Sequence, residues 1–232
     1  MKINMLDHIA LYMSDRDAAA SFLTTHLGFH VVDHTERYTL VGAGGRLGKL
    51  TLFDAPQGTT PSAGEIGRIT IRVSDPEAAA QELPPEANAE RFDGGYAFTG
   101  PEGLPLALVL GEGEFAEYDL EGLTLLSGSP EKSARTFVEM GFTPADVTTV
   151  TAGGYLMRLF DTAPDGGKPE GGMLFHIGCL VDSAEDHRRE AEERGLEVTD
   201  FVEGPNTLAA FVRGPEGVSV EYVEHKPTFS LT

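Results

Sequence analysis

The 232-residue chain has a single cysteine, fewer than half as many bases as acids, and no long apolar run. One cysteine excludes an internal disulfide and any cysteine-rich zinc module. That residue, Cys179, lies in an apolar segment, where a buried structural thiol is expected. No apolar stretch approaches the ~18–20 residues that cross a bilayer. The opening Met1-Lys2-Ile3-Asn4-Met5 lacks the charged end and apolar stretch of a secretory signal. A cytoplasmic protein with no membrane partner is the expectation. The 17 bases face 37 acids spread along the chain, a formal charge of -20. Such a surface repels phosphate backbones, which excludes nucleic acid as a partner.

The second half of the chain echoes the first. Leu27-Gly28-Phe29 is matched by Met140-Gly141-Phe142, and Leu52-Phe53-Asp54-Ala55-Pro56 by Leu159-Phe160-Asp161-Thr162-Ala163-Pro164. Gly100-Pro101-Glu102-Gly103 recurs identically as Gly214-Pro215-Glu216-Gly217. The offsets are 113, 107 and 114, a register kept with small insertions.

Each half divides again. His8-Ile9-Ala10-Leu11-Tyr12-Met13, Ile69-Thr70-Ile71-Arg72-Val73, Leu123-Thr124-Leu125-Leu126 and Ile177-Gly178-Cys179-Leu180-Val181 are aliphatic or β-branched runs of strand length. Each runs into a helix-capping signal: Ser14-Asp15, Ser74-Asp75 before Pro76, Ser129 before Pro130, and Asp182-Ser183. The predicted helices stop at Gly28, at Pro84-Pro85, at Gly141 and at Gly195. Short alternating segments around glycine-rich turns follow, such as Gly42-Ala43-Gly44-Gly45, and read as β-hairpins. The order predicts four βαβββ modules, at 1–60, 61–115, 116–168 and 169–232.

From about Met5 to His225 this arrangement resembles the vicinal oxygen chelate superfamily of glyoxalases, bleomycin-resistance proteins and extradiol dioxygenases. The resemblance implies an α+β fold in which pairs of modules curl into two open barrels. It also implies metal ligands on the opening and closing strands of a module. Equivalent opening positions hold His8, Arg68, Gly122 and His176, so only the first and fourth modules offer a ligand there. Among the closing strands, only Val218-Ser219-Val220-Glu221-Tyr222-Val223 carries an internal acid, Glu221. A carboxylate inside an apolar run needs a compensating partner.

The implied set is therefore His8, His176 and Glu221, which requires modules 1 and 4 to share a barrel. Two histidines and a carboxylate suit iron(II) or manganese(II) with open positions, and zinc(II) with a bound water is the other option. His225 lies four residues beyond Glu221, about 13 Å along the strand, too far to share the ion. His30 and His34 are expected at exposed positions, and His26 and His187 on helix surfaces.

The segment Val212-Arg213-Gly214-Pro215-Glu216-Gly217-Val218-Ser219-Val220-Glu221 resembles the closing hairpin of ring-cleaving dioxygenases, above all the hydroquinone-cleaving branch. That branch carries paired histidines at the ligand strands, where this chain has Asp7 and Phe175 as the preceding residues. It also has a tyrosine two residues before the arginine, where this chain has Phe211. A phenyl ring transfers no proton, which leaves Tyr222, Tyr12 or a water as the acid–base group. Arg213 is expected to pair with a substrate anion or with Glu216. The resemblance implies a metal-dependent enzyme for a small substrate with two neighbouring oxygens, most simply an extradiol-type dioxygenase. A glyoxalase-like isomerase and a metal-free small-molecule binder are the alternatives, and a homodimer is allowed.

Overall fold

The computed structural model describes residues 1–43, 49–161 and 172–229. Four successive groups of elements share one order, strand, helix, three strands. The first is β1 (Met5–Met13), α1 (Arg16–His26), β2 (His30–His34), β3 (Tyr38–Gly42) and β4 (Lys49–Asp54). The second is β5 (Ile66–Val73), α2 (Pro76–Gln81), β6 (Glu90–Phe92), β7 (Gly95–Thr99) and β8 (Pro105–Leu110). The third is β9 (Asp119–Ser127), α3 (Pro130–Glu139), β10 (Thr143–Pro144), β11 (Thr149–Ala152) and β12 (Tyr155–Asp161). The fourth is β13 (Leu174–Leu180), α4 (Ala184–Glu193), β14 (Val198–Glu203), β15 (Thr207–Arg213) and β16 (Ser219–His225). Gly44 and Gly45 of the expected turn, and Thr162 to Pro164 of the second echo, lie outside the described residues.

The strands form two eight-stranded mixed sheets, ordered β14-β15-β16-β13-β1-β4-β3-β2 and β10-β11-β12-β9-β5-β8-β7-β6. The first and fourth units share one sheet and the two middle units share the other, as the ligand set required. The seam of each sheet is an antiparallel pair of opening strands, β1 with β13 and β5 with β9. Neither sheet closes on itself.

The capping signals act locally. Asp15 accepts from the backbone N–H of Ala18, Asp75 from Glu77 and Ala78, and Ser183 from Asp186. Ser129 makes no side-chain cap; the turn into α3 is held instead by Ser127, whose Oγ accepts from the Ser129 N–H at 3.1 Å. Helices cover one face of each sheet. On that side Ile9, Leu11, Met13, Leu50 and Leu52 are fully buried, and α1 contributes Ala19, Ala20 and Leu23. Of the residues alternating with them on the opposite face, His8, Tyr12 and Phe53 are partly buried, while Ala10, Lys49 and Thr51 are buried.

The identical Gly-Pro-Glu-Gly echoes join the sheets. Each forms a 3-10 turn, Pro101–Gly103 and Pro215–Gly217, with its glutamate in the left-handed region at φ 54° and 56°. The Glu102 carboxylate accepts the N–H groups of Ser14 and Asp15, both at 2.8 Å, at the start of α1. The Glu216 carboxylate accepts the hydroxyls of Ser127 and Ser133 at 2.7 and 3.3 Å beside α3. Each turn thus reaches from one sheet to a helix on the other. No helix among the described residues is long and apolar enough to cross a membrane.

Candidate metal centre

The register of the first sheet places His8 of β1, Gly178 of β13 and Glu221 of β16 side by side in one row. His176 enters from β13 opposite Ala10. Gly178 is required here by close approach. A Cβ at that position would lie 2.3 Å from Cε1 of the His8 ring, so only a hydrogen leaves room for the imidazole.

Three atoms then converge. His8 Nε2 lies 2.9 Å from His176 Nε2 and 3.1 Å from Glu221 Oε2, and His176 Nε2 lies 3.2 Å from Glu221 Oε2. Donors bound at about 2.1 Å and at right angles around one ion stand about 3.0 Å apart, whereas tetrahedral donors stand about 3.4 Å apart. Two of the three edges are close to the right-angled spacing, and the third, at 3.2 Å, lies midway between the two cases. Glu221 Oε2 is buried and has no hydrogen bond of acceptable geometry, although both imidazoles are within reach. Such an atom fits a metal ligand better than a hydrogen-bond acceptor. The three residues form a group able to hold a metal ion.

Around the triangle is a second layer. His8 Nδ1 donates to Asp7 Oδ2 at 2.9 Å, which turns the Nε2 lone pair toward the other two ligands. Lys49 Nζ and His225 Nε2 meet the other Asp7 oxygen at 3.1 and 3.2 Å. His225 stacks on Phe229 with ring centroids 3.6 Å apart. A β-bulge between Leu6 and His8 lets Asp7 sit beside the ring of its own neighbour. His176 has no such orienting partner, and its Nδ1 is buried without a hydrogen bond.

The charges follow from this packing. Burial opposes ionisation of His8, but the adjacent carboxylates of Asp7 and Glu221 prevail and hold its pKa at about 9. Burial lowers that of His176, with Glu221 opposing the shift and His8 adding to it. Burial also works against the Glu221 carboxylate, yet the two histidines keep it ionised down to about pH 2. Asp7 is likewise opposed by burial and held well below the usual carboxylate range by His225, His8 and Lys49.

Half-buried aromatic rings wall the open face. Phe175 stacks on Tyr12 at 4.5 Å and meets Phe53 edge-on at 5.2 Å. Phe211, across from Glu221 in register, packs edge-on against His176 at 5.3 Å. The pairing also identifies the pseudo-equivalent of Glu221. Gly178, two residues after His176, pairs with Glu221, while Ala10, two residues after His8, pairs with Thr51. A threonine thus stands where a fourth strong ligand would be.

Two residues expected at the site are elsewhere. Tyr222 alternates with Glu221 and points to the opposite face, fully buried, its hydroxyl donating to the Met140 carbonyl at 2.7 Å. Burial pushes its pKa well up, and it has no path to the triangle. Arg213 is exposed at the end of β15 and binds Glu197 at 2.8 Å instead of Glu216 or the site. Of the proton-transfer options, Tyr12 shares the face of His8. His30 and His34 are exposed, as expected, and His26 lies on α1 near the Glu82 carbonyl. His187 differs from expectation: it is buried, bonding the Ser183 carbonyl and the backbone of Lys2. Cys179 is fully buried and its thiol is pushed far up by burial. Sequence reasoning missed Asp7, Lys49 and Gly178; the one visible signal was an acid directly before a candidate histidine.

Fold and site together define a protein of four βαβββ units in two sheets, with a two-histidine, one-carboxylate cluster on the open face of one sheet. Residues 5–106 match the model of the Glyoxalase/Bleomycin resistance protein/Dioxygenase superfamily. The matched stretch spans the first two units, and the remaining two repeat the same element order, so the chain is similar to this superfamily in fold along its length. No curated protein gives a significant sequence match. Among solved structures, a candidate dioxygenase of Bacillus subtilis subsp. subtilis str. 168 is 20% identical, with a TM-score of 0.74 over 97% of this chain and 86% of that one. Glyoxalase I of Zea mays is 15% identical, with a TM-score of 0.73 over 95% and 92%. The cppA protein of Streptococcus pneumoniae TIGR4 is 16% identical, with a TM-score of 0.60 over 96% and 100%. At these identities the likeness is one of fold.

Proposed function

We propose that the protein is a divalent-metal enzyme acting on a small substrate with two neighbouring oxygens, and within that class an extradiol-type ring-cleaving dioxygenase. The observation that carries this reading is the nearly equilateral triangle of donor atoms from His8, His176 and Glu221, with Thr51 at the fourth place. Three ligands on one face of a six-coordinate ion leave three positions, enough for two substrate oxygens and dioxygen. When bound, iron(II) or manganese(II) would supply Lewis-acid stabilisation of charge on the substrate oxygens together with redox reactivity toward dioxygen; zinc(II) would supply only the first. Asp7 fixes the tautomer of His8 through Nδ1. Phe175 and Phe53 present an apolar wall that suits a flat ring and excludes water. Tyr12 is the hydroxyl on the triangle's face placed to move a proton at a substrate oxygen. A glyoxalase-like isomerase would use a fourth protein ligand, which Thr51 does not provide, and a metal-free binder would not need the triad.

Elemental analysis and dioxygen uptake test the proposal. Purified protein loaded anaerobically with iron(II) should hold one ion per chain and consume dioxygen with a catechol or hydroquinone, giving the absorbance of a ring-opened product. His176→Ala should lose both ion and turnover. Failure to retain iron, manganese or zinc, or equal retention by His176→Ala, overturns the site. Metal retention without turnover across the diol panel overturns the dioxygenase reading.

A further inference from the structure

The second sheet repeats the geometry of the first with different chemistry. Where the first sheet has the row His8, Gly178 and Glu221, the second has Arg68 of β5, Thr124 of β9 and Arg158 of β12, each paired with its neighbour in register. At about 4.8 Å between strands, the two arginine backbones stand roughly 10 Å apart, with the buried Thr124 between them. Arg72, four residues further along β5 and paired with Asp119, brings a third guanidinium to the same face roughly 13 Å along the strand.

These arginines are incompletely neutralised. Arg158 meets Glu121 at 3.3 Å and Arg72 meets Asp119 at 2.5 Å. Arg72 nonetheless keeps a buried Nε donor without an acceptor. Arg68 lies over the ring of Phe92 at 4.7 Å, and among the described residues no carboxylate pairs with it. Among the ion pairs of the described residues, these three guanidiniums share two carboxylates, in a chain whose formal charge is -20. The flanks are apolar. Phe160, two residues after Arg158 and 54% exposed, pairs in register with the half-buried Leu126.

We propose that the open face of the second sheet binds a small organic carboxylate with a flat apolar body. Arg68 and Arg158 would grip its two oxygens from either side of Thr124, as guanidinium forks match carboxylate geometry. Phe92 and Phe160 would cover its ring. The site is separate from the candidate metal centre and does not depend on the reading of that centre.

Calorimetric titration of the full chain with benzoate, benzamide and inorganic phosphate tests this. Benzoate should bind saturably at one site, weaken as salt rises, and exceed both neutral benzamide and phosphate by about tenfold or more. Arg68→Gln should weaken benzoate at least tenfold while leaving the melting temperature near that of the parent, because among the described residues Arg68 holds no ion pair. His176→Ala should leave benzoate binding unchanged. No saturable binding, equal binding by Arg68→Gln, equal affinity for phosphate, or loss of binding in His176→Ala would each overturn the proposal.

Discussion

At the scale of the residue, the decisive atom is Nδ1 of His8. Its bond to Asp7 directs Nε2 toward His176 and Glu221, and together the two carboxylates keep a proton on the ring up to about pH 9 when no ion is present. An ion must displace that proton. His176, its pKa lowered by burial, is already neutral, and Glu221 stays ionised down to about 2, so neither adds a proton between pH 7 and 9. Below pH 9 the protonated form of His8 is favoured, and affinity for the ion is therefore lower at lower pH. Manganese(II) affinity should rise about tenfold per pH unit from 7 toward 9, then level off. Calorimetry in buffers of differing ionisation heat should show one proton released per ion bound. A flat or inverted profile would contradict the assignment.

At the scale of the element, strand alternation and one glycine build the site. Glu221 and Tyr222 are adjacent in β16, so the strand's twofold period sends one to the triangle and the other against α3's Met140 end. Gly178 has an ordinary extended backbone, so alanine fits the chain itself; only the His8 ring is in its way. Gly178→Ala should push that ring off Asp7, lowering metal affinity at least about tenfold. The cost in stability should be only about 1–3 kcal/mol, the usual range for an overpacked contact. Metal titration beside a denaturant melt checks both. Unchanged affinity would show that the imidazole does not ligate from its present position. The repeated strand and cap signals were legible because they are local. Asp7 was not, because a bulge between β1 and β13 sets its direction. Ser129 failed as a cap, with Ser127 holding the turn in its place.

At the scale of the whole molecule, two sheets are tied together by two copies of one turn. Glu102 and Glu216 occupy strained left-handed conformations and accept hydrogen bonds at the helix of the neighbouring sheet. Removing the Glu216 carboxylate leaves the Ser133 hydroxyl with only that of Ser127, about 2.9 Å away, while Ser127 keeps the Ser129 N–H. Glu216→Ala should therefore cost about 1–2 kcal/mol in a reversible denaturant melt, in line with a lost charged hydrogen bond. A melt equal to that of the parent would show that the turn does not tie the sheets.

The sequence by itself determined the four strand-and-helix units, their stops at Gly28, Gly141 and Gly195, and the restriction of candidate ligands to the first and last units. Those features follow from periodicity, capping and backbone freedom, which act within a few residues. Tertiary structure alone decided that β1 pairs with β13, closing 168 residues into a 2.9 Å contact between two imidazoles. It also sent Tyr222 into the core and Arg213 to Glu197, and it set the arginines of the second sheet in the row that the first sheet gives to its triad. Partners so distant in the chain are chosen by sheet order and register, and these are properties of the assembled fold.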